Sequence, residues 1–262
     1  MKKHHFLCVS FLLFLFFIQV QPCLSKTTTF EKYFGGDHED YGYCVAQTPD
    51  NGYIVGGSTR IDDINTQAYI VKIDELGNKQ WDKTFGKDHS EFIMDVKSLR
   101  DGFVFAMFSN SNLSQNFHLV LIRTDSEGNE IWRTQFDGPN GSPLSASITI
   151  TKSEEFIIAA GYTLNLDPLL GMLVKVHQNG KRDWAHTMYN KAVTCVKQHR
   201  DDSIYLTGFH QEDIEVKSWL AQFDTEGRKT WEKNMADGYI FSMDITRDGG
   251  IICGGLNPES KS

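Results

Sequence analysis

Proline and cysteine are both scarce, with 6 and 5 residues in a chain of 262. Together with only 22 glycines this excludes collagen-like and proline-rich extended architectures, because neither a Gly-X-Y period nor a polyproline tract can be drawn. No Cys-x-x-Cys pair occurs, so zinc-ribbon and dithiol redox motifs are absent. Positive charge is also in short supply. Lys plus Arg total 26 against 34 Asp plus Glu, a net charge of −8, and the electrostatic footprint needed to bind nucleic-acid phosphates is missing. Apolar residues at helical spacing are sustained nowhere, which argues against a helical bundle.

The one long hydrophobic run lies at the N-terminus. Lys2 and Lys3 precede an apolar block from Phe6 to Val20, and small residues follow at Cys23 and Ser25, the order of a secretory signal peptide. Cleavage is expected after Ser25, leaving residues 26–262 as a single domain outside the cell, or in the periplasm or on the cell surface of a bacterium. A retained signal anchor is the alternative, but roughly 15 apolar residues fall short of the about 20 that span a bilayer, so no stable membrane span is expected after cleavage. Pro22 stands where a lipoprotein signal carries a small residue before its cysteine, which argues against a lipid on Cys23. Removal of the leader leaves 24 basic against 34 acidic residues, a charge of −10, and three cysteines, Cys44, Cys195 and Cys253. An odd number reads as buried, unpaired thiols packed as small hydrophobes. A Cys195–Cys253 bridge between neighbouring repeats is the alternative.

The strongest signal is a repeat. Phe30, Trp81, Trp132, Trp184 and Trp231 occupy a common setting at spacings of 51, 51, 52 and 47 residues. Four of the five follow a polar turn: Asp74 to Asn78, Asp125 to Asn129, His177 to Lys181 and Asp224 to Arg228. Each turn closes an apolar run, such as AYIVKID at 68–74 or LVLIRTD at 119–125. The leading Asp offers an acceptor to the turn amides and the Gly a positive φ, so each unit reads as a hairpin. A second hairpin recurs in phase, from TPDNGYIVGGST at 48–59 to TRDGGIICGG at 246–255. Aligning Tyr53, Phe103, Phe156, Ile204 and Ile251 brings Cys44, Met94, Ser147, Cys195 and Ser242 into one column, read as a crowded packing position. The aromatic markers are read as blade-to-blade packing residues.

Four strands per repeat of about 50 residues predict an all-β fold, a β-propeller of four-stranded blades with about five repeats, the last incomplete. A parallel β-helix is the alternative, but its rungs are shorter and lack alternating tight hairpins. Outer strands are expected near 28, 79, 130, 182 and 229, and inner strands near 41, 91, 144, 193 and 239, nineteen strands in all. The expected forms are a five-bladed ring with a defective closing blade or an open arc, including a fragment of a larger ring.

The pattern W-x-x-x-F-G-G, then D-x-G-Y-I-V-G-G-S-T, then Y-I-V-K-I-D-x-x-G-N-x-x-W, resembles the tryptophan-marked propeller repeats of secreted and surface proteins of microbes, with a distant similarity to quinoprotein-type blades. It covers residues 27–255. What the resemblance implies is the fold. It is nearly silent on activity, and no quinone is implied.

The first-to-second and third-to-fourth strand turns are tight and share one face of the disc. Longer loops gather on the other face, at 60–67, 110–116, 163–169 and 210–216, together with 36–40 and 87–91. A binding surface is expected there. Asp37-His38 with Asp40 repeats as Asp88-His89 with Glu91, a set whose chemistry suits a divalent metal. The acid at Asp40 and Glu91 reads better as a cap on the turn leading into the inner strand, and blades three to five carry Pro143, Lys191 and Gly238 there. The Asp-x-x-Gly-Asn turns lack the alternating acids of a calcium loop. No Gly-x-Ser-x-Gly, His-Glu-x-x-His or P-loop motif is present. Glycan acceptors would be Asn112 and Asn140 in a host that glycosylates.

No cofactor and no metal are therefore expected. The leading reading is a non-catalytic module that binds a protein or a glycan through the long-loop face, with His38, Asp40, Asp62, Asp63, His89, Glu91, Glu212 and Asp213 as candidate contacts. The rival is a polysaccharide-active hydrolase or lyase using Asp62, Asp63, Glu212 and Asp213 with His38 and His89. If the leader is cleaved as expected, protein recovered from a secreting host begins at Lys26, which N-terminal sequencing or intact mass would read directly.

Overall fold

The computed structural model describes residues 29–62, 65–86, 90–110, 117–137, 141–163, 169–212 and 215–257. The expected leader lies outside the described residues. Eighteen strands run in series. Blade one holds β1 (Asp40–Gln47), β2 (Tyr53–Arg60), β3 (Thr66–Ile73) and β4 (Lys79–Phe85). Blade two holds β5 (Ser90–Leu99), β6 (Gly102–Asn110), β7 (His118–Asp125) and β8 (Glu130–Phe136). Blade three comprises β9 (Ser142–Ile150), β10 (Phe156–Thr163), β11 (Leu169–Val176) and β12 (Arg182–Tyr189), and blade four β13 (Ala192–Gln198), β14 (Ile204–Glu212), β15 (Glu215–Phe223) and β16 (Lys229–Asp237). A two-stranded unit, β17 (Tyr239–Ile245) and β18 (Ile251–Leu256), forms the inner half of blade five. Pairing within each blade is antiparallel, and a single parallel bridge, Thr66 to Ser90, joins blades one and two.

Alternation along a strand explains why the blades stack. In β6, Phe103, Phe105 and Met107 pack toward blade one while Val104, Ala106 and Phe108 pack toward blade three, and all six are at most 3% exposed. A strand covered on both faces reads as an unbroken apolar run, as FVFAMF does. One column of side chains points forward at each junction (Ile54, Val104, Ile157, Tyr205), and another points back (Val96, Ile148, Val196, Met243). Fully burying each such aliphatic side chain is worth about 1.5–3 kcal/mol.

The turn chemistry matches its sequence signature. Asp74 Oδ1 accepts from the amides of Leu76 (2.9 Å) and Asn78 (2.8 Å), and Asp125 and Asp224 do the same in blades two and four. Hydrogen bonds from Asn78, Asn129 and Arg228 hold these three carboxyls below the usual range. The turn glycine adopts φ +79° at Gly77, +74° at Gly128, +84° at Gly180 and +76° at Gly227. It also makes room for an aromatic ring from the preceding blade: a Cβ on Gly128, Gly180 or Gly227 would stand 2.8 to 2.9 Å from Trp81, Trp132 or Trp184. Trp132 Nε1 further donates to Gln178 O at 2.9 Å, and Trp184 Nε1 to Thr225 O at 3.3 Å. Trp81, Trp132 and Trp184 are thus packing residues that lock their outer strands onto the next blade's turn, whereas Trp231 meets Tyr205 edge-on at 5.9 Å.

Three expectations need correction. Residues 29–39 are not a strand, so the described strands number eighteen and not nineteen. Phe30 nevertheless sits on Gly77 and meets Tyr53 edge-on at 6.2 Å, so this segment fills the marker position by side-chain packing, without a ladder. Second, Asp95 and not Met94 pairs in the crowded column, opposite Ala106, because a β-bulge makes Met94 an extra residue. Third, β14 and β15 pair as far as Glu212 opposite Glu215, so the strand ladder runs through most of the loop expected at 210–216.

A further column was invisible to motif reading. The third strand of blades one to three carries a cation, Lys72, Arg123 or Lys175, that reaches an acid of the first hairpin: Lys72 to Asp50 at 2.8 Å, Arg123 to Asp101 at 2.5 Å and Lys175 to Glu155 at 3.0 Å. Lys72 Nζ also donates to Ile73 O and Gln80 Oε1, which satisfies all of its protons in a buried setting. The Lys72 bond, with Thr48 and Gly52, lowers the Asp50 carboxyl to about 2.

Two outcomes follow. Asp50 stabilises the fold above its unfolded pKa near 3.9, and that contribution should fade as pH falls from about 4 to 2; an acid titration of Asp50→Asn should lose this component, and Asp50→Ala should lower stability at neutral pH by about 1–2 kcal/mol, between exposed and buried pairs. Gly180→Ala should cost about 1–3 kcal/mol for a left-handed non-glycine residue, whereas Gly36→Ala, with open space around it, should stay within about 0.5 kcal/mol of wild type in thermal unfolding.

Candidate functional site

The innermost strands β1, β5, β9, β13 and β17 face the common axis, and each carries one bulge. The extra residues are Tyr43, Met94, Leu144, Thr194 and Phe241, five side chains re-aimed near the end of the strand that lies on the long-loop face. Four of them, Met94, Leu144, Thr194 and Phe241, line an apolar cleft of about 430 Å³ together with Phe209, Tyr239 and Leu256. Tyr239 and Phe241 stack in parallel at 5.8 Å, and Phe209 meets Tyr239 edge-on at 4.8 Å, which fixes the aromatic wall. Phe241 and Leu256 are more than half exposed.

Two of the cleft's hydroxyls, on Thr194 and Ser145, are already committed, and the Tyr239 phenol is the third on its lining. Thr194 Oγ1 donates to Ile240 O at 2.7 Å, across the junction of blades four and five, and lies 3.1 Å from Thr207 O. Ser145 Oγ donates to Val193 O across the junction of blades three and four. These bonds turn polar atoms away from the axis and leave aliphatic and aromatic surface toward it. Among the described residues no charged side chain lines the cleft.

The acids picked out by sequence take other roles. Asp40 Oδ2 accepts from Gly36 N at 2.9 Å, closing the loop that leads into β1. Asp62 holds Asn65 through its backbone and side-chain nitrogens at 2.8 and 2.7 Å. Glu91 is 2% exposed, abuts Gly86 as Asp40 abuts Gly35, and accepts from Ser109 Oγ at 3.3 Å. Glu212 is exposed with Lys217 Nζ at 3.9 Å, and His38 is exposed beside Asp37. Asp63, His89 and Asp213 lie outside the described residues. The five described positions belong to three blades, and among the described residues no group of three or more His, Cys, Asp or Glu is arranged to hold a metal ion.

In the crowded column, burial together with the Asp95 carboxylate raises the Cys44 thiol to about 12. Its Sγ points at Gly56 O, 3.5 Å away, as a weak donor. Asp95 accepts from Ile148 N at 2.7 Å and from Lys97 Nζ, which stitches blade two to blade three. Cys44, Cys195 and Cys253 are free thiols. Lys191, on the same face as the cleft, pairs with Glu232 and lies 5.0 Å over the ring of buried Trp219.

Comparison with known proteins bears on the fold. No protein-family model and no curated protein matches the sequence. Among solved structures, the Dos1 propeller superposes with a TM-score of 0.54 at 11% identity, over 84% of this chain and 67% of that one. The chain has a propeller-type fold. An ACO/RPE65 chimera (TM-score 0.47, 13% identity, 77% of this chain) and a mutant of the Synechocystis apocarotenoid oxygenase (0.47, 12%, 77%) are also similar, and the chain spans 52% and 50% of their lengths. At these identities the likeness speaks to architecture alone.

The bulge residues escaped sequence reasoning because a bulge is a register slip between two strands, and no single strand displays it. Their apolar character was legible. Met94, Leu144 and Phe241 interrupt otherwise mixed inner strands, and that departure is the signal a register-aware reading would have used.

Proposed function

We propose that this chain is a secreted, non-catalytic binding module of the tryptophan-marked propeller kind, and that it holds a protein ligand by an apolar anchor seated in the axial cleft. The observation that carries this reading is the cleft itself: exposed aromatic and aliphatic side chains, several of them re-aimed by bulges onto the long-loop face, around Ser145 and Thr194 hydroxyls already satisfied by backbone. Desolvating such a surface favours an apolar or aromatic side chain, the usual core of a protein interface. A sugar would bring several hydroxyls, and among the described lining residues only the Tyr239 phenol has its own hydroxyl uncommitted. The described acids support the same reading, since Asp40 and Asp62 hold their own loops and Glu91 is buried beside Ser109. The marker indoles packed on turn glycines support the repeat assignment. Secretion rests on the leader pattern of residues 1–25. Among the described residues no helix is long and apolar enough to cross a membrane.

The test is to pan a displayed random-peptide library on the purified chain. Enriched peptides should carry aromatic or branched aliphatic anchors. Leu144→Asp and Phe241→Ser should each weaken their binding by about thirtyfold, the effect of a 2 kcal/mol hot spot, with thermal stability unchanged. Ligands insensitive to both substitutions but lost on Asp62→Ala or Glu212→Ala would move the site to the loop acids and end the proposal.

A further inference from the structure

The tight-turn face carries a second hollow, between blades two and three. It encloses about 650 Å³ and is walled by Leu99, Ile131, Trp132, Ile150 and Phe156. A shortened turn accompanies it. Five residues separate the paired strand ends Gln47 and Tyr53 in blade one, Ile150 and Phe156 in blade three, and Gln198 and Ile204 in blade four, but only four separate Ser98 from Phe103 in blade two. The longer turns close on themselves through their first residue: Thr48 Oγ1 donates to Asp50, and Thr151 Oγ1 accepts from Glu155 N at 2.9 Å. Leu99 stands at that position in blade two and has no polar side-chain atom, so it presents apolar wall where those blades have a self-bonded turn.

The next junction shows what fills such a gap. Between blades three and four, Lys152 Nζ meets Asp202 at 3.0 Å and the Lys152 amide donates to Gln198 Oε1 at 3.0 Å, which leaves a space of about 200 Å³. By strand register Arg100 holds the position of Lys152, and Glu154 that of Asp202. The ion pair is not repeated. Glu154 accepts from Gln178 Nε2 at 3.3 Å, and the Arg100 guanidinium, on the lining of the hollow, makes no hydrogen bond or ion pair with the described residues. Arg123 also reaches the lining, but it is buried and already neutralised by Asp101. Ser98 Oγ on the same wall is buried without a hydrogen-bond partner, so the wall offers donors that the chain itself leaves unused.

We infer that this hollow is a binding site for a carboxylate carried on an aromatic or branched aliphatic body. The acid takes the place at Arg100 that Asp202 takes at Lys152, and the body lies against Leu99, Ile131 and Ile150. A guanidinium with its donors free matches the fork of a carboxylate, and an amine there would meet like charge. The walls favour an apolar body because they remove it from water. Such a carboxylate comes from a free organic acid or from the C-terminal residue of a polypeptide. The hollow shares no lining residue with the axial cleft, so the two readings stand or fall separately.

The test is a titration of the isotope-labelled chain with N-acetylphenylalanine at neutral pH, followed by calorimetry and by the indole N–H resonances. Binding should saturate and should shift the Trp132 indole signal, identified by its loss in Trp132→Phe. N-acetylphenylalanine amide keeps the ring and lacks the charge, and it should bind about tenfold more weakly. Arg100→Gln should weaken binding of the acid by about tenfold and leave that of the amide unchanged. Its thermal unfolding should match wild type, since the side chain is exposed and bonds to nothing in the chain. Two further probes separate the sources: tighter binding of 3-phenylpropanoate assigns a free acid, tighter binding of N-acetyl-Gly-Gly-Phe assigns a chain terminus, and either result supports the site. Equal binding of acid and amide, binding unaffected by Arg100→Gln, or no saturable binding of any of the three acids at millimolar concentration would overturn the proposal.

Discussion

A sheet with two greasy faces can survive in water only between neighbours, and that requirement organises this molecule. The second strand of blade two has no polar side in its central stretch, so it must be sandwiched, and the blades on either side face the same demand. Stacking answers each demand by passing it along. The interior columns are consequently nearly dry, and the hydrogen-bonded stitches between blades, from the Trp132 indole to Gln178 and from Asp95 to the amide of Ile148, refine a register that apolar contact has already imposed.

The polar chemistry is subordinate but patterned. Asp at the head of three of the four turns, Asp74, Asp125 and Asp224, holds the amides that would otherwise be left over, and the glycine of each turn leaves space for an aromatic ring. Lysine or arginine on the third strand is carried into a half-dry position and neutralised by an acid from the neighbouring hairpin, so the two hairpins of a blade are tied at the tight-turn face. Such pairs specify geometry more than they add stability, because desolvation offsets much of their attraction. With the cations and the turn acids committed in this way, the face toward the axis is left to aromatic and aliphatic side chains.

Much of this was readable beforehand. The aromatic markers, the Asp-x-x-Gly turns and the alternating runs each express a local rule, and local rules survive in a single sequence: Trp81, Asp125 and Gly180 do what their spacing announced. The failures are all non-local. Residues 29–39 look strand-like next to Trp81 and its kin but find no ladder partner, and pairing is a property of two segments. Met94 was aligned by counting, and counting cannot see an inserted bulge. The stretch 210–216 is polar enough for a loop, yet Lys217 and its neighbours continue the hairpin to Glu212. Asp40 closes the loop into its inner strand as its column suggested, whereas Glu91 is bonded by Ser109 across the strand pair; the axial cleft went unnoticed because its lining comes from four different units separated by about fifty residues each.

The bulges have one more implication. Because a single displaced residue per inner strand aims a side chain at the axis, the opening they surround is set by how many units curve around it and by which side chain each contributes, independently of the packing that holds the units together. Duplicating or deleting a unit would change the calibre of that opening, and exchanging Leu144 would retune its lining without removing a hydrogen bond between units, whereas Thr194 also ties blade four to blade five through Ile240 O. A lineage built this way can explore new ligands by arithmetic on repeats, keeping the chemistry of assembly fixed.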